Sequence, residues 1–131
     1  MSEEIPEALR PGAKSRWSRA ITEDDVLRFA ELSGDKGRHH RERDALGRLV
    51  AHGLLTATLP TKLGGDMDYM AKEMRFEFVK AVFTGDVLDC EGTVENVIVQ
   101  NARFKMSFSF VVTNQDGDVV LRGTTSGQIL R

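Results

Sequence analysis

The sequence is short of the residues that staple, bend or anchor a chain. One cysteine, Cys90, stands among 131 residues, so no internal disulfide can form and nothing calls for an oxidising compartment. Only three prolines are present, and no internal repeat or low-complexity tract divides the chain. No stretch approaches the ~20 consecutive apolar residues that a membrane helix needs. Charge of one sign is also lacking: 18 Lys+Arg face 20 Asp+Glu, a net −2. That balance disfavours a general nucleic-acid binder, which carries a basic surplus, and the acid excess is too small to keep the chain unfolded. The first seven residues hold three glutamates and no apolar core, unlike a secretory or transit signal. The expectation is a cytoplasmic protein that binds neither nucleic acid nor membrane.

What is present is an ordinary globular mixture, 40% hydrophobic and 29% charged, of a length suited to one domain over residues 1–131. Residues 1–16, with Pro6, Pro11 and Gly12, read as an extended lead-in, and residues 17–21 as a short strand. Thr22 is a good helix N-cap with Asp25 three residues on, a capping-box spacing. Glu23, Asp24 and Asp25 fill the first turn, where the helix dipole favours acids. Val26, Phe29 and Ala30 form one apolar stripe, and Gly34 is the natural stop. Residues 35–48 are too polar for core and read as a surface loop or short helix. Residues 49–63 are apolar on nearly every side, which predicts a buried helix of about four turns. Pro60 should tighten or kink it, and Gly64-Gly65 should end it.

Beyond that point the hydrophobic period switches to two. Met70, Met74, Phe76 and Phe78 mark one strand, residues 87–99 a second and Phe104, Met106, Phe108, Phe110 and Val112 a third. Thr84-Gly85-Asp86 reads as a turn and Asp116-Gly117 as a hairpin. A last strand covers residues 119–130. Helices followed by strands in hairpin succession argue an α+β fold, an antiparallel sheet wrapped around one long central helix. An exposed sheet edge would be covered by self-association.

All three histidines, His39, His40 and His52, fall in one short window that also holds Asp35 at a helix end and Gly53 at a helix start. A carboxylate and an imidazole sharing a water can move a proton to one carbon and a hydroxyl to the next. A first-turn backbone N–H at Gly53 is unpaired, sits at the positive end of the helix dipole, and could hold a thioester carbonyl. The bland alternatives are exposed loop histidines, a core-packed His52 and a close helix–sheet contact at Gly53. A metal site on Asp35, His39, His40 and His52 is the rival use; adjacent histidines diverge and no cysteine or His-x-x-x-His spacing accompanies them, so no metal is expected. Lys36, Arg38, Arg41, Arg43 and Arg48 either meet phosphates of coenzyme A or an acidic carrier protein, or form a solvated loop. Cys90 alternates with Leu88 and Gly92 as a small core residue, not a nucleophile.

These residues resemble the MaoC-like, R-specific enoyl-CoA hydratases and dehydratases. Residues 21–26 with Phe29-Ala30-Glu31-Leu32-Ser33-Gly34-Asp35 are similar to that family's Thr-Glu-x-Asp-Val-x-x-Phe-Ala-x-Leu-Ser-Gly-Asp helix. Val50-Ala51-His52-Gly53-Leu54-Leu55-Thr56-Ala57 resembles its Ala-His-Gly-Met-Leu-Thr-Ala, and Met74-Arg75-Phe76 with Gly85-Asp86-Val87-Leu88 its Leu-Arg-Phe…Pro-Gly-Asp-x-Leu. The family's Ser-Gly-Asp-x-Asn-Pro-x-His appears as Ser33-Gly34-Asp35-Lys36-Gly37-Arg38-His39-His40, with Gly37-Arg38 in place of Asn-Pro. The resemblance implies a hot-dog fold and hydration of a trans-2-enoyl thioester of coenzyme A or acyl carrier protein, or the reverse dehydration, as part of fatty acid metabolism. It implies Asp35 and His40 as the catalytic pair, Gly53 as the thioester carbonyl site, and His52, Leu54 and Thr61 as substrate-binding residues, although Leu54, Leu55 and Leu59 read equally well as plain core. It implies no metal or redox cofactor, and a homodimer or dimer of dimers. A hot-dog acyl-CoA thioesterase and a catalytically silent acyl-thioester-binding domain are the alternatives.

Overall fold

The alternation along the C-terminal half folds as the pattern predicts. The computed structural model describes residues 5–130; Met1 to Glu4, part of the expected lead-in, and Arg131 lie outside the described residues. Five strands, β1 (Lys14–Ala20), β2 (Tyr69–Phe78), β3 (Val87–Gln100), β4 (Arg103–Thr113) and β5 (Val119–Leu130), make one antiparallel sheet in the order β1-β3-β4-β5-β2. Helix α1 spans Glu23–Ser33, and two helical segments, α2 (Gly53–Thr56) and α3 (Thr58–Asp66), run on from one another. This is the expected α+β arrangement.

Local chemistry accounts for α1. The Thr22 side chain accepts from the Asp25 N–H and the Asp25 side chain accepts from the Thr22 N–H, a complete capping box. Gly34 ends the helix in the left-handed conformation at φ 78°, which a glycine adopts without strain. Val26 and Ala30 face the core.

Four expectations are corrected. The lead-in is shorter than 16 residues: a 3-10 turn covers Glu7–Leu9, and β1 starts at Lys14, three residues before Trp17. Lys14 and Arg16 are exposed edge residues paired to Glu91 and Asp89, so hydropathy gave no sign of strand there. The central helix starts at Gly53, because residues 49–51 are extended: Val50 bridges Phe83 and the Ala51 N–H donates to the Val82 carbonyl. The helix is interrupted at Ala57, near the carbonyl of Thr56 that Pro60 cannot bond. It then runs through Gly64-Gly65 to Asp66. The strands are not all in hairpin succession either. β2 pairs with β5 at one edge, while β3 lies between β1 and β4.

Leu55, Leu59 and Leu63 pack against Leu88, Cys90, Phe110, Val112 and Leu121 in the main core. A second cluster, around Val94, Phe104, Met106, Phe108 and Ile129, is closed by Ile5 and Leu9. One face of the helix stays uncovered within the chain: Leu54 is 58% exposed. β2 is uncovered as well, with Met70 64% and Phe78 53% exposed. The sheet curls tightly where β5 crosses β2: a Cβ at Gly123 or Gly127 would strike the main-chain carbonyl of Arg75 or Met70.

Candidate active site

Three pieces of chain meet at the start of α2: the turn after α1, the extended residues 49–52, and the segment after β2. The turn after α1 is tied locally. Ser33 donates to the Phe29 carbonyl, and its hydroxyl accepts from the Asp35 N–H at 3.0 Å. The Asp35 Oδ1 accepts from the Gly37 N–H at 3.2 Å, which leaves Oδ2 for other use. A 3-10 turn over Arg38–His40 then swings the chain back, the His40 N–H donating to the Gly37 carbonyl. His40 ends up buried, 4% exposed.

The imidazole of His40 is held at its edge and between two neighbouring rings. Its Nδ1 lies 2.6 Å from the Val50 carbonyl. A carbonyl only accepts, so Nδ1 carries the hydrogen and Nε2 is the basic nitrogen. Nε2 faces the Asp35 Oδ2 at 3.6 Å. His52 stacks on one face, with centroids 3.6 Å apart and planes at 16°, and the His39 ring lies tilted against it, with centroids 3.8 Å apart and planes at 51°. Val50 itself is held by its N–H to the His39 carbonyl, and residues 49–51 are clamped by Val82 and Thr84.

Asp35, His40, His52, Gly53 and Leu54 line one cleft of about 540 Å³, together with Phe29, Ser33, His39, Thr56, Phe78, Val79 and Lys80. The Gly53 N–H has no hydrogen-bond partner among the described residues, as expected of a first-turn donor. The close contact considered for Gly53 is also real: a Cβ there would lie 2.6 Å from the Phe78 ring. Thr61 is not brought into this cleft. Its hydroxyl donates to the Thr58 carbonyl at 2.8 Å, and it lines a second cavity with Pro60, Leu63, Tyr69 and Phe108.

Phe29, Phe78 and Lys80 are cleft residues that sequence reasoning did not single out. Phe78 showed only as one tooth of an alternating strand, and nothing local placed it over Gly53. Asp35, His40 and His52 each offer a ligand atom, all within 4.8 Å of one another. The two stacked rings are nearly parallel, so their lone pairs do not converge on a common tetrahedral point. The basic run is largely neutralised within the chain: Lys36 pairs with Glu31, Arg38 with Glu42, Arg43 with Glu23 and Arg48 with Asp44. Cys90 lies in the core, and burial pushes its thiol up to about 12, which keeps it protonated and inert.

No protein-family model matches the chain. It is 27% identical over 130 residues to the 3-hydroxybutyryl-CoA dehydratase of Methylorubrum extorquens, covering 88% of this chain and 82% of that one. An R-hydratase from Pseudomonas aeruginosa superposes with a TM-score of 0.77 at 25% identity, over 91% of this chain and 81% of that one. An (R)-hydratase from A. caviae superposes with a TM-score of 0.83 at 24% identity, over 96% and 100%. In fold and in sequence the chain resembles the MaoC-like hydratases and dehydratases.

Proposed function

We propose that this protein is a hydro-lyase, adding water across the double bond of a trans-2-enoyl thioester of coenzyme A or acyl carrier protein, or catalysing the reverse dehydration. The observation that carries the reading is the facing of Asp35 Oδ2 and His40 Nε2 across 3.6 Å, in a cleft whose wall holds the unpaired Gly53 N–H. One water molecule at hydrogen-bond distance of ~2.8 Å from both groups fits that spacing. The relatives named as a 3-hydroxybutyryl-CoA dehydratase and as R-hydratases support the same chemistry.

The step balances without a redox partner. The water oxygen bonds to C3 of the enoyl group while the Asp35–His40 pair takes one of its protons. The π electrons shift toward the thioester carbonyl, where the Gly53 N–H steadies the developing negative charge. The pair then delivers a proton to C2, leaving a 3-hydroxyacyl thioester. Dehydration runs through the same positions in reverse. C3 gains an oxygen and C2 a hydrogen, so there is no net oxidation or reduction and no redox cofactor is needed; the pair and the Gly53 N–H supply the proton transfer and charge stabilisation without a metal, and chelator should leave the rate unchanged. His52 and Leu54 belong to the cleft wall; Thr61 has no role in this protomer's cleft.

The protein works in the cytoplasm as a homodimer joined along β2. Among the described residues no helix is long and apolar enough to cross a membrane. β2 is an edge strand with exposed Met70, Met74 and Phe78, the kind of edge that a chain protects by pairing. Sedimentation should give twice the chain mass, and Met70→Lys with Met74→Lys should halve it.

The test of function mixes protein with a short trans-2-enoyl-CoA and follows the conjugated absorbance and free thiol together. Absorbance should fall with no thiol released. Thiol release would make it a thioesterase, and binding with neither signal would leave a silent acyl-thioester-binding domain.

A further inference from the structure

His52 is the one buried titratable side chain of the cleft that the proposed chemistry does not use. It is 2% exposed. Its Nε2 lies 2.8 Å from the Asp35 main-chain carbonyl, which can only accept, so Nε2 is the protonated nitrogen and Nδ1 is bare. That Nδ1 is buried without a partner. One nitrogen is therefore engaged by the protein and the other is enclosed, and neither is presented to a ligand. The ring face is engaged too, stacked under His40 at 3.6 Å and resting on Phe29 at 4.9 Å.

We propose that His52 is a positioning residue, which sets the separation of Asp35 and His40 by bonding the main chain of one and stacking on the ring of the other, without touching substrate. The inference rests on the hydratase reading above and deepens it. Asp35 and His40 are five residues apart on a turn that begins at a helix end, and the Asp35 side chain is 57% exposed. The turn alone fixes only Oδ1, through Gly37. His52 reaches both partners from a different element, the rigid entry to α2, and so ties the turn to the core. Packing alone does not explain the residue. An apolar ring would fill the site without leaving a bare nitrogen buried, and what it would lack is the N–H to the Asp35 carbonyl.

Two variants divide the contacts. His52→Phe keeps a ring to stack and removes the donor; His52→Gln keeps a donor and removes the ring. Each is compared with the unaltered chain for thermal melting, for kcat and KM on a short trans-2-enoyl-CoA, and for calorimetric binding of butyryl-CoA, which cannot react. The expected result is cooperative melting, butyryl-CoA affinity within about twofold, and kcat down about tenfold in each variant, the scale of one lost hydrogen bond. Unchanged kcat in both variants overturns the inference, as does a loss of butyryl-CoA affinity in step with kcat, which would make His52 a binding group. A loss confined to one variant overturns the two-contact form. An inactive unaltered chain would defeat the hydratase reading, and the His40 Nδ1–H resonance then decides about His52: its loss from both variants supports positioning, and its persistence in both refutes it.

Discussion

Gly53→Ala separates the packing contact that Gly53 makes with Phe78 from the carbonyl-binding role proposed for its N–H. The new Cβ would lie 2.6, 2.8 and 3.1 Å from three carbons of the Phe78 ring, so the ring must retreat by about 1 Å to reach ordinary contact. Phe78 ends a strand and is 53% exposed, so it can swing outward, at a cost of about 1 kcal/mol, the low end for overpacking. Alanine offsets part of that, being up to ~1 kcal/mol better than glycine in a helix. The backbone imposes no strain, because Gly53 is not among the residues with positive φ. The net change in stability should be within about 1 kcal/mol, a few degrees in Tm. The effect on catalysis should be larger. A methyl group beside the N–H keeps a carbonyl from closing to hydrogen-bond distance, and loss of such a donor costs ~2.7 kcal/mol or about 100-fold. The assay is kcat/KM on a short trans-2-enoyl-CoA, with melting as the control, for Gly53→Ala alone and with Phe78→Leu. In the double variant the clash is relieved, so Tm should recover while activity stays low. Recovery of activity in the double variant would show that Gly53 matters only as a packing contact, and the carbonyl role would be wrong.

Three further outcomes follow from particular contacts. Asp35→Asn keeps an acceptor for the Gly37 N–H but removes the charge facing His40; kcat should fall about 100- to 10,000-fold with Tm within a few degrees, and a loss below tenfold would remove Asp35 from the chemistry. Cys90, buried and with its thiol pushed up to about 12, should not react with a chromogenic disulfide at about pH 8 until the chain is unfolded; prompt labelling of the native protein would contradict the core packing. Asp44, hydrogen-bonded by the Arg48 N–H and guanidinium, and Asp89, bonded by Ser18 and Arg16, are held below the ordinary carboxylate value of 3.8. The unfolded chain therefore binds protons first on acidification. The stability these groups add is present above about pH 4 and is lost as pH falls through their folded values. Urea midpoints should drop across that window and less steeply in Asp89→Asn; equal slopes would rule out the pairing.

The fold was legible where local chemistry and tertiary burial agree. Thr22, Asp25 and Gly34 marked α1 because capping is a short-range property, and the alternation from Phe104 to Val112 marked β4 because one face is buried all along it. β1 was truncated because its outer residues are ion-paired on a solvent edge, where hydropathy is silent. The entry to the central helix was misplaced because an extended segment clamped by loop contacts has the same apolar composition as a buried helix. The apolar teeth of β2 identified a strand but not what covers each of them: Phe76 packs on the core, while Met70 and Phe78 stay exposed among the described residues.

The departure at Gly37-Arg38 shows why the site was only partly readable. Sequence comparison within the turn makes that dipeptide look decisive, since it stands between Asp35 and His40. In the structure the dipeptide contributes main-chain bonds to the turn, the Gly37 N–H to Asp35 Oδ1 and the Gly37 and Arg38 carbonyls to the N–H groups of His40, Arg41 and Glu42, bonds that many residues could make. The orientation of the His40 ring comes mainly from outside the turn, from the Val50 carbonyl at its edge and the stacked ring of His52, with the neighbouring His39 ring tilted against it. Val50 is in turn held against Phe83, so the imidazole is referenced to the segment after β2 as well as to its own loop, through the Val50 N–H to the His39 carbonyl. A turn supported from outside can change its own residues and still return the ring to the same place. Weakening that outside support, for example by Thr84→Ala, which removes the hydroxyl that the Leu49 N–H binds, should therefore lower kcat more than Gly37→Ala does. Steady-state kinetics of the two variants would decide it, and the opposite ranking would mean that the turn itself holds His40.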